Sequence, residues 1–163
     1  MSDNDQNDQE IRPAGEKLQK VLARIGVGSR RDVESWISQG RIKLKSSGAK
    51  TTFHDPCYLG RQNGIIEPPR AVLQQTTANM IELPRNGRKS FCCGAGGAQM
   101  WKEEEEGDQR VNQNRMKEAI ASGADTLALG CPFCMVMLTD AAKETNTTMQ
   151  VLDVAEIVAA QME

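Results

Sequence analysis

The sequence predicts an α/β fold, a mostly parallel sheet with flanking helices, preceded by a small two-helix basic module and a disordered N-terminal tail. Three observations carry this expectation. Short apolar segments alternate with segments of helical period from residue 51 onward, the pattern of a layered α/β domain. The Thr126–Leu129 run reads as a buried strand that leads directly into Cys131. Helix starts follow the later strands at once: Pro132 suits a first helical turn, and Asp153 with Glu156 forms a capping pattern.

Element by element, residues 1–16 are polar and acidic and hold too little apolar surface to offset the entropy of ordering, so they read as the tail. Leu18, Val21, Leu22 and Ile25 recur at helical spacing until Gly26. Ser29 caps a second helix, with Asp32 at its third position and Val33, Trp36 and Ile37 on its apolar face, until Gly40 ends it. Residues 41–45 alternate basic and apolar side chains as a short strand does, which closes a module spanning 17–45. Residues 46–50 have turn chemistry and read as a linker to the main domain, 51–163. Within that domain the sequence predicts a strand at Thr51–Phe53, a helix from about Pro69, a strand around Asn79–Leu83 and a glycine-rich loop at Cys92. A long helix is expected over Asp108–Ser122, with Val111, Met116, Ala119 and Ile120 inward and Gly123 at its end. Thr126–Leu129 is the next strand, followed by a helix from Pro132 to about Lys143, a strand at Gln150–Leu152 and the helix capped by Asp153.

An apolar fraction of 39% supports a core, and aromatics at 4% leave it to aliphatic residues and methionine. The net charge of -2 averages unlike regions, since nine basic residues between Lys17 and Lys50 face only Asp32 and Glu34. No stretch approaches the roughly 18 consecutive apolar residues of a membrane span, and the polar N-terminus lacks a secretory core, so a cytoplasmic location without membrane insertion by this chain is expected. An odd number of cysteines, five, argues against a disulfide framework in such a compartment and favours metal or redox chemistry.

Those cysteines fall in three segments: Cys57, the pair Cys92-Cys93, and Cys131-Pro132-Phe133-Cys134. Intervals of 34 and 37 residues between the segments accommodate strand and helix units, so all three can meet at one end of a sheet. Gly94, Ala95, Gly96 and Gly97 give the paired cysteines a backbone able to turn successive N–H groups toward anionic sulfur. Cys131 and Cys134 bracket a helix start, where free N–H groups favour thiolate. His54, the only histidine, lies three residues before Cys57 and reads either as a group beside the metal or as a structural hydrogen-bonding residue. Two rival readings stand beside an iron–sulfur cluster: tetrahedral zinc, which would use four thiolates and leave the fifth idle, and cysteines that merely pack. Glu103–Glu106 reads as a solvated face, and Met135 and Met137 as packing.

The segments Phe53-His54-Asp55-Pro56-Cys57-Tyr58-Leu59-Gly60-Arg61, Ser90-Phe91-Cys92-Cys93-Gly94-Ala95-Gly96-Gly97 and Gly130-Cys131-Pro132-Phe133-Cys134 closely resemble the cysteine-rich CCG domain of heterodisulfide reductase-related iron–sulfur oxidoreductases. The likeness runs from about Lys50 to Glu163 and includes Leu83-Pro84-Arg85, Met100-Trp101 and Leu152-Asp153-Val154-Ala155-Glu156. It implies an electron-transfer or disulfide-reducing module in which Cys57, Cys92, Cys93, Cys131 and Cys134 hold a four-iron four-sulfur cluster, non-cubane in some members and replaced by zinc in others. It also implies a flavoprotein or other redox subunit carrying further clusters, through which the protein would associate with a membrane. The closely spaced cysteines of a ferredoxin run are not found in this sequence.

The basic segment resembles a different family. Lys17-Leu18-Gln19-Lys20-Val21-Leu22-Ala23-Arg24-Ile25-Gly26, Ser29-Arg30-Arg31-Asp32-Val33-Glu34 and Gly40-Arg41-Ile42-Lys43 are similar to the start of the alpha-L RNA-binding domain of ribosomal large-subunit pseudouridine synthases. The resemblance implies phosphate contacts from Lys20, Arg24, Arg30, Arg31 and Arg41 to structured RNA, dependent on salt and shape. It stops near Lys43, and the Arg-Leu-Asp motif of the synthase is not present, so it implies no pseudouridine synthesis. Two families joined in one chain read as a natural fusion, a rearranged reading frame or an artificial joining.

Overall fold

The computed structural model describes residues 45–103 and 107–162 continuously, with Ser29 and Arg31 as isolated positions. The tail, the first basic helix, the second apart from Ser29 and Arg31, and residues 41–44 of the expected strand, with Lys20, Arg24, Arg30 and Arg41, therefore lie outside the described residues, as do Glu104, Glu105 and Glu106, while Lys45 is described and is not in a strand. Arg31 is an exposed helical residue. The chain divides into two units, Met1–Arg41 and Ile42–Glu163, and all five cysteines belong to the second.

Four strands, β1 (Ser47–Phe53), β2 (Thr77–Ile81), β3 (Thr126–Leu129) and β4 (Gln150–Asp153), form one sheet in the order β2-β1-β3-β4. Every pairing is parallel, with Thr52 opposite both Ile81 and Leu127, and Leu129 opposite Asp153. Helices α1 (Glu67–Thr76), α2 (Val111–Ala121), α3 (Pro132–Glu144) and α4 (Val154–Ala160) supply the second layer type, α1 packing with α4 and α2 with α3. Strand alternation assigns each pair to its face. Leu127 and Leu129 enter a cluster with Leu83, Met116, Leu138 and Ala141, while Ala128 between them joins Phe53, Leu73 and Ile157. A sheet covered on both faces is what a parallel arrangement requires.

β3 has the predicted bounds, and α3 runs one residue past its predicted end. The cap of α4 forms in full: Asp153 Oδ1 accepts from Ala155 N at 2.8 Å, and Glu156 Oε2 accepts from Asp153 N at 2.8 Å. Other boundaries differ. β1 begins at Ser47, inside the stretch read as linker, because tertiary pairing with Thr77 carries residues whose side chains prefer a turn, at the cost of a register irregularity before Lys50. α1 starts at Glu67, so that Pro68 and Pro69 both fall in its first turn, where a missing N–H costs nothing.

The inward face of α2 also departs from expectation. Met116 and Ala119 are fully buried, but Val111 and Ile120 are exposed. The buried stripe is Asn112, Arg115, Met116 and Ala119, since polar groups at 112 and 115 find partners inside: Asn112 Nδ2 donates to Met137 O at 3.0 Å, and Arg115 is taken up in a network described below.

Candidate metal centre at the ends of the central strands

Sequence order and spatial order diverge between β1 and β3. β2 lies on one side of β1 and β3 on the other, so the chain reverses its direction of build-up there, and a crevice opens beyond the carboxyl ends of the two strands. The loop after β1 carries His54, Asp55 and Cys57, and continues into a single π turn, Tyr58–Gln62. The loop after β3 carries Cys131 as the N-cap of α3, with Pro132 next and Cys134 in the first turn. Cys92 and Cys93 arrive on the long connection between β2 and α2.

Backbone and side-chain bonds lock these loops together. His54 N donates to Ala128 O at 3.0 Å, which joins the first loop to β3. A side chain at Gly130 would stand 3.9 Å from Pro56 and Leu59, so the two strand-end loops lie side by side. Ser90 Oγ donates to Asp55 O at 3.0 Å, and Arg61 donates to Ser90 O at 2.5 Å, which draws in the Cys92 segment. Asp55 is the hub: its carboxylate accepts two bonds from Arg70, at 2.7 and 2.9 Å, and one from Gly87 N at 2.7 Å. Arg70 also forks onto Glu82 at 2.6 and 2.8 Å.

The sulfurs meet inside this frame. Cys93 and Cys134 are buried, and their Sγ atoms and a ring nitrogen of His54 all lie within 4.8 Å of one another. Cys93 also interacts with the neighbouring thiol of Cys92, so Cys92, Cys93 and Cys134 form one group. Cys57 and Cys131 are half-buried on the loops that follow β1 and β3 and lie outside the His54–Cys93–Cys134 group. Gly94 N donates to Cys92 Sγ at 3.3 Å. Gly96 N also faces Cys92, and Ala95 N faces Cys93. Gly94 has φ of 96°, so the backbone conformation calls for glycine, and a Cβ there would stand 3.1 Å from the movable tip of Met137. Gly97 is positive in φ without sulfur contact, and Met137 packs against the core together with Met135.

Protons are held tightly on Cys92 and Cys93. Contact with Cys93, then burial, pushes Cys92 far above the usual thiol range, and contact with Cys134 pushes Cys93 up to about 11. Adjacent sulfurs resist becoming adjacent anions unless a cation sits among them. A sulfur-rich donor set with three amides turned inward fits a thiophilic metal centre. Cys92 further borders two recesses, one of about 490 Å³ with Gly94, Gly96 and Val136, and one of about 340 Å³ walled by Arg61, Arg88 and Lys89.

Motif reading identified the cysteines, His54 and the glycine loop; the structure brings His54, Cys93 and Cys134 within 4.8 Å of one another and sets Cys57 and Cys131 on the loops after β1 and β3. It missed Asp55, Arg70, Arg115 and Glu118. Arg115 is fully buried, donating from Nη1 to Glu118 Oε2 at 2.8 Å and to Arg85 O at 3.0 Å. Asp55 and Glu118 share an electrostatic signature. Burial alone would raise both, but arginines and backbone N–H groups outweigh it and hold them below the ordinary carboxylate range. Their stabilisation is therefore present above the unfolded carboxylate value and lost as pH falls through the native ones. Thermal melts from neutral pH downward are expected to stay level until near pH 4 and then drop, and Asp55→Asn is expected to flatten that acid limb.

A family model described as a cysteine-rich domain, CCG, matches residues 51–139. An EtfAB:quinone oxidoreductase of Syntrophomonas wolfei is 38% identical over 136 residues, covering 78% of this chain and 19% of that protein. A component of the dihydromethanophenazine:CoB--CoM heterodisulfide reductase of Methanosarcina acetivorans is 37% identical over 129 residues, 78% of this chain and 31% of that protein. A separate match, 49% over 69 residues, is to ribosomal large subunit pseudouridine synthase B of Pseudomonas aeruginosa, covering 37% of this chain and 18% of the synthase. The chain thus spans about a fifth to a third of the redox proteins it matches.

Proposed function

Since the chain belongs to the cysteine-rich CCG family, whose members include a heterodisulfide reductase component and related iron–sulfur oxidoreductases, we propose that it is an iron–sulfur electron-transfer module of a heterodisulfide reductase-like oxidoreductase. Cys57, Cys92, Cys93, Cys131 and Cys134 are the proposed ligands of a four-iron four-sulfur cluster of non-cubane type. The observation that carries this reading is the buried Cys93–Cys134 pair, within 4.8 Å and beside Cys92, at strand ends whose loops also carry Cys57 and Cys131. Five thiols exceed what one tetrahedral ion uses and suit a polynuclear centre.

When bound, the cluster supplies one-electron transfer. The protein's own residues do the rest. Gly94, Ala95 and Gly96 turn N–H groups to the sulfurs and offset their negative charge, while Leu83, Met116 and Leu138 keep the inner side dry. Asp55 and Arg70 fix the loop that presents Cys57. A flavoprotein or another cluster-bearing subunit is the proposed electron partner, since the relatives' names describe quinone and heterodisulfide redox complexes. Among the described residues no helix is long and apolar enough to cross a membrane.

Anaerobic reconstitution followed by iron, sulfide and zinc analysis tests the reading. The expected result is about four irons and four sulfides per chain with visible absorption. A colourless protein with stoichiometric zinc overturns it in favour of a zinc-stabilised domain, the reading that the His54–Cys93–Cys134 spacing would support. The match to a pseudouridine synthase supports a second, independent proposal, that Lys20, Arg24, Arg30, Arg31 and Arg41 bind structured RNA. Affinity should then fall steeply with salt, and a flat titration removes it.

A further inference from the structure

His54 stands within 4.8 Å of two cysteine sulfurs, a spacing that suggests a mixed nitrogen and sulfur metal site. Its hydrogen bonding points elsewhere. Arg115 Nε, whose N–H can only donate, lies 3.0 Å from His54 Nδ1, so the Nδ1 lone pair is taken. A neutral imidazole with Nδ1 accepting carries its proton on Nε2. Moving the proton to Nδ1 would set an N–H against the Arg115 N–H in a fully buried place, and turning the ring over would set a C–H there, so either change leaves the Arg115 donor without its acceptor.

We propose that Arg115 is a positioning residue that fixes His54 as an N–H donor toward the Cys93 and Cys134 sulfurs and thereby bars it from ligating metal. The proposal rests on the cysteine centre proposed above and adds its selectivity: the centre is all-sulfur because its one neighbouring imidazole has no lone pair to give. Arg115 itself is held by Glu118 and by the Arg85 carbonyl, and its Nη2 is buried without a partner among the described residues, so the side chain sits where its contacts to His54 and Glu118 are made rather than where its own donors are best satisfied. The helix that carries it, α2, also packs against α3, which carries Cys134, so donor and sulfur are set by one pair of elements.

The chain has a single histidine, which makes the test direct. In uniformly ¹⁵N-labelled, metal-free protein, long-range proton–nitrogen correlation should show protonated Nε2 and a coupling across the bond from Arg115 Nε to His54 Nδ1. Loading with ¹¹³Cd should then give a resonance without ¹⁵N coupling to His54. Arg115→Met keeps bulk but removes the donor, and its cadmium signal should gain that coupling, while Arg115→Lys restores the wild-type pattern. After iron–sulfur reconstitution, Arg115→Met should show a lower reduction potential and a cluster affinity weaker by about 10- to 100-fold, the usual effect of losing a residue that supports ligands. Protonated Nδ1 in the wild type, cadmium coupling to His54 in the wild type, or an unchanged cadmium spectrum in Arg115→Met each overturns the proposal. The wild-type measurements decide it even where a variant fails to fold. Failure to take up iron and sulfide would sink the cluster reading and leave the nitrogen spectra standing, so the two are told apart.

Discussion

Alanine at Cys93 or at Cys134 is expected to leave a folded protein that takes up no complete iron–sulfur cluster. Both thiols are buried in the core with Met116 and Leu138, so each also behaves as a small apolar group, and its loss costs about 1 kcal/mol, the scale of deleting one methyl-sized group. That leaves the fold intact in a domain of ordinary stability, about 5–15 kcal/mol. The proposed inorganic core has no such tolerance, because Cys93 and Cys134 are the buried sulfurs that lie within 4.8 Å of each other. Circular dichroism should match the wild type while iron, sulfide and visible absorption fall to background after reconstitution. A variant that keeps full metal content shows that this pair of sulfurs is not the binding element.

Arg70→Leu is expected to produce the largest loss of stability from a single substitution, about 3–5 kcal/mol, the cost of stripping one partner from a buried ion pair. Asp55 is 1% exposed and would retain only the Gly87 N–H as a close donor. Leucine fills space without supplying the five hydrogen bonds that the guanidinium makes to Asp55, Glu82 and the Ile66 carbonyl. Chemical denaturation measures the effect. A drop below about 1 kcal/mol, the value of an exposed pair, would show that Glu82 and water carry the load instead. The loop from His54 to Cys57 loses its anchor in this variant, so cluster loading should fall together with the midpoint.

What the sequence disclosed, and what it concealed, follows physical lines. Thr126–Leu129, Pro132 and the Asp153–Glu156 cap were legible because their signals are local: a run of buried residues, a proline that suits a first turn, a reciprocal pair three residues apart. The cysteine loops were legible because thiols and glycines at those intervals have few other uses. β1 was read too short, since the pairing that extends it to Ser47 is with Thr77, thirty residues away. Arg115 was missed because a charged residue is ordinarily assigned to solvent, and its partner His54 lies 61 positions earlier. A signal was present nonetheless. Met116 and Ala119 define a helical stripe that only 112 and 115 complete, and taking that geometry over polarity would have turned Arg115 inward.

In a parallel sheet every strand leaves by the same edge, and here that edge holds all the thiols. The turns feeding β3 and β4, at residues 123–125 and 146–149, consequently occupy the far side of the domain. A tether, dye or electrode linker attached at Asn146 would orient the domain with its cysteine-bearing loops outward, so immobilisation chemistry can be chosen from strand direction alone.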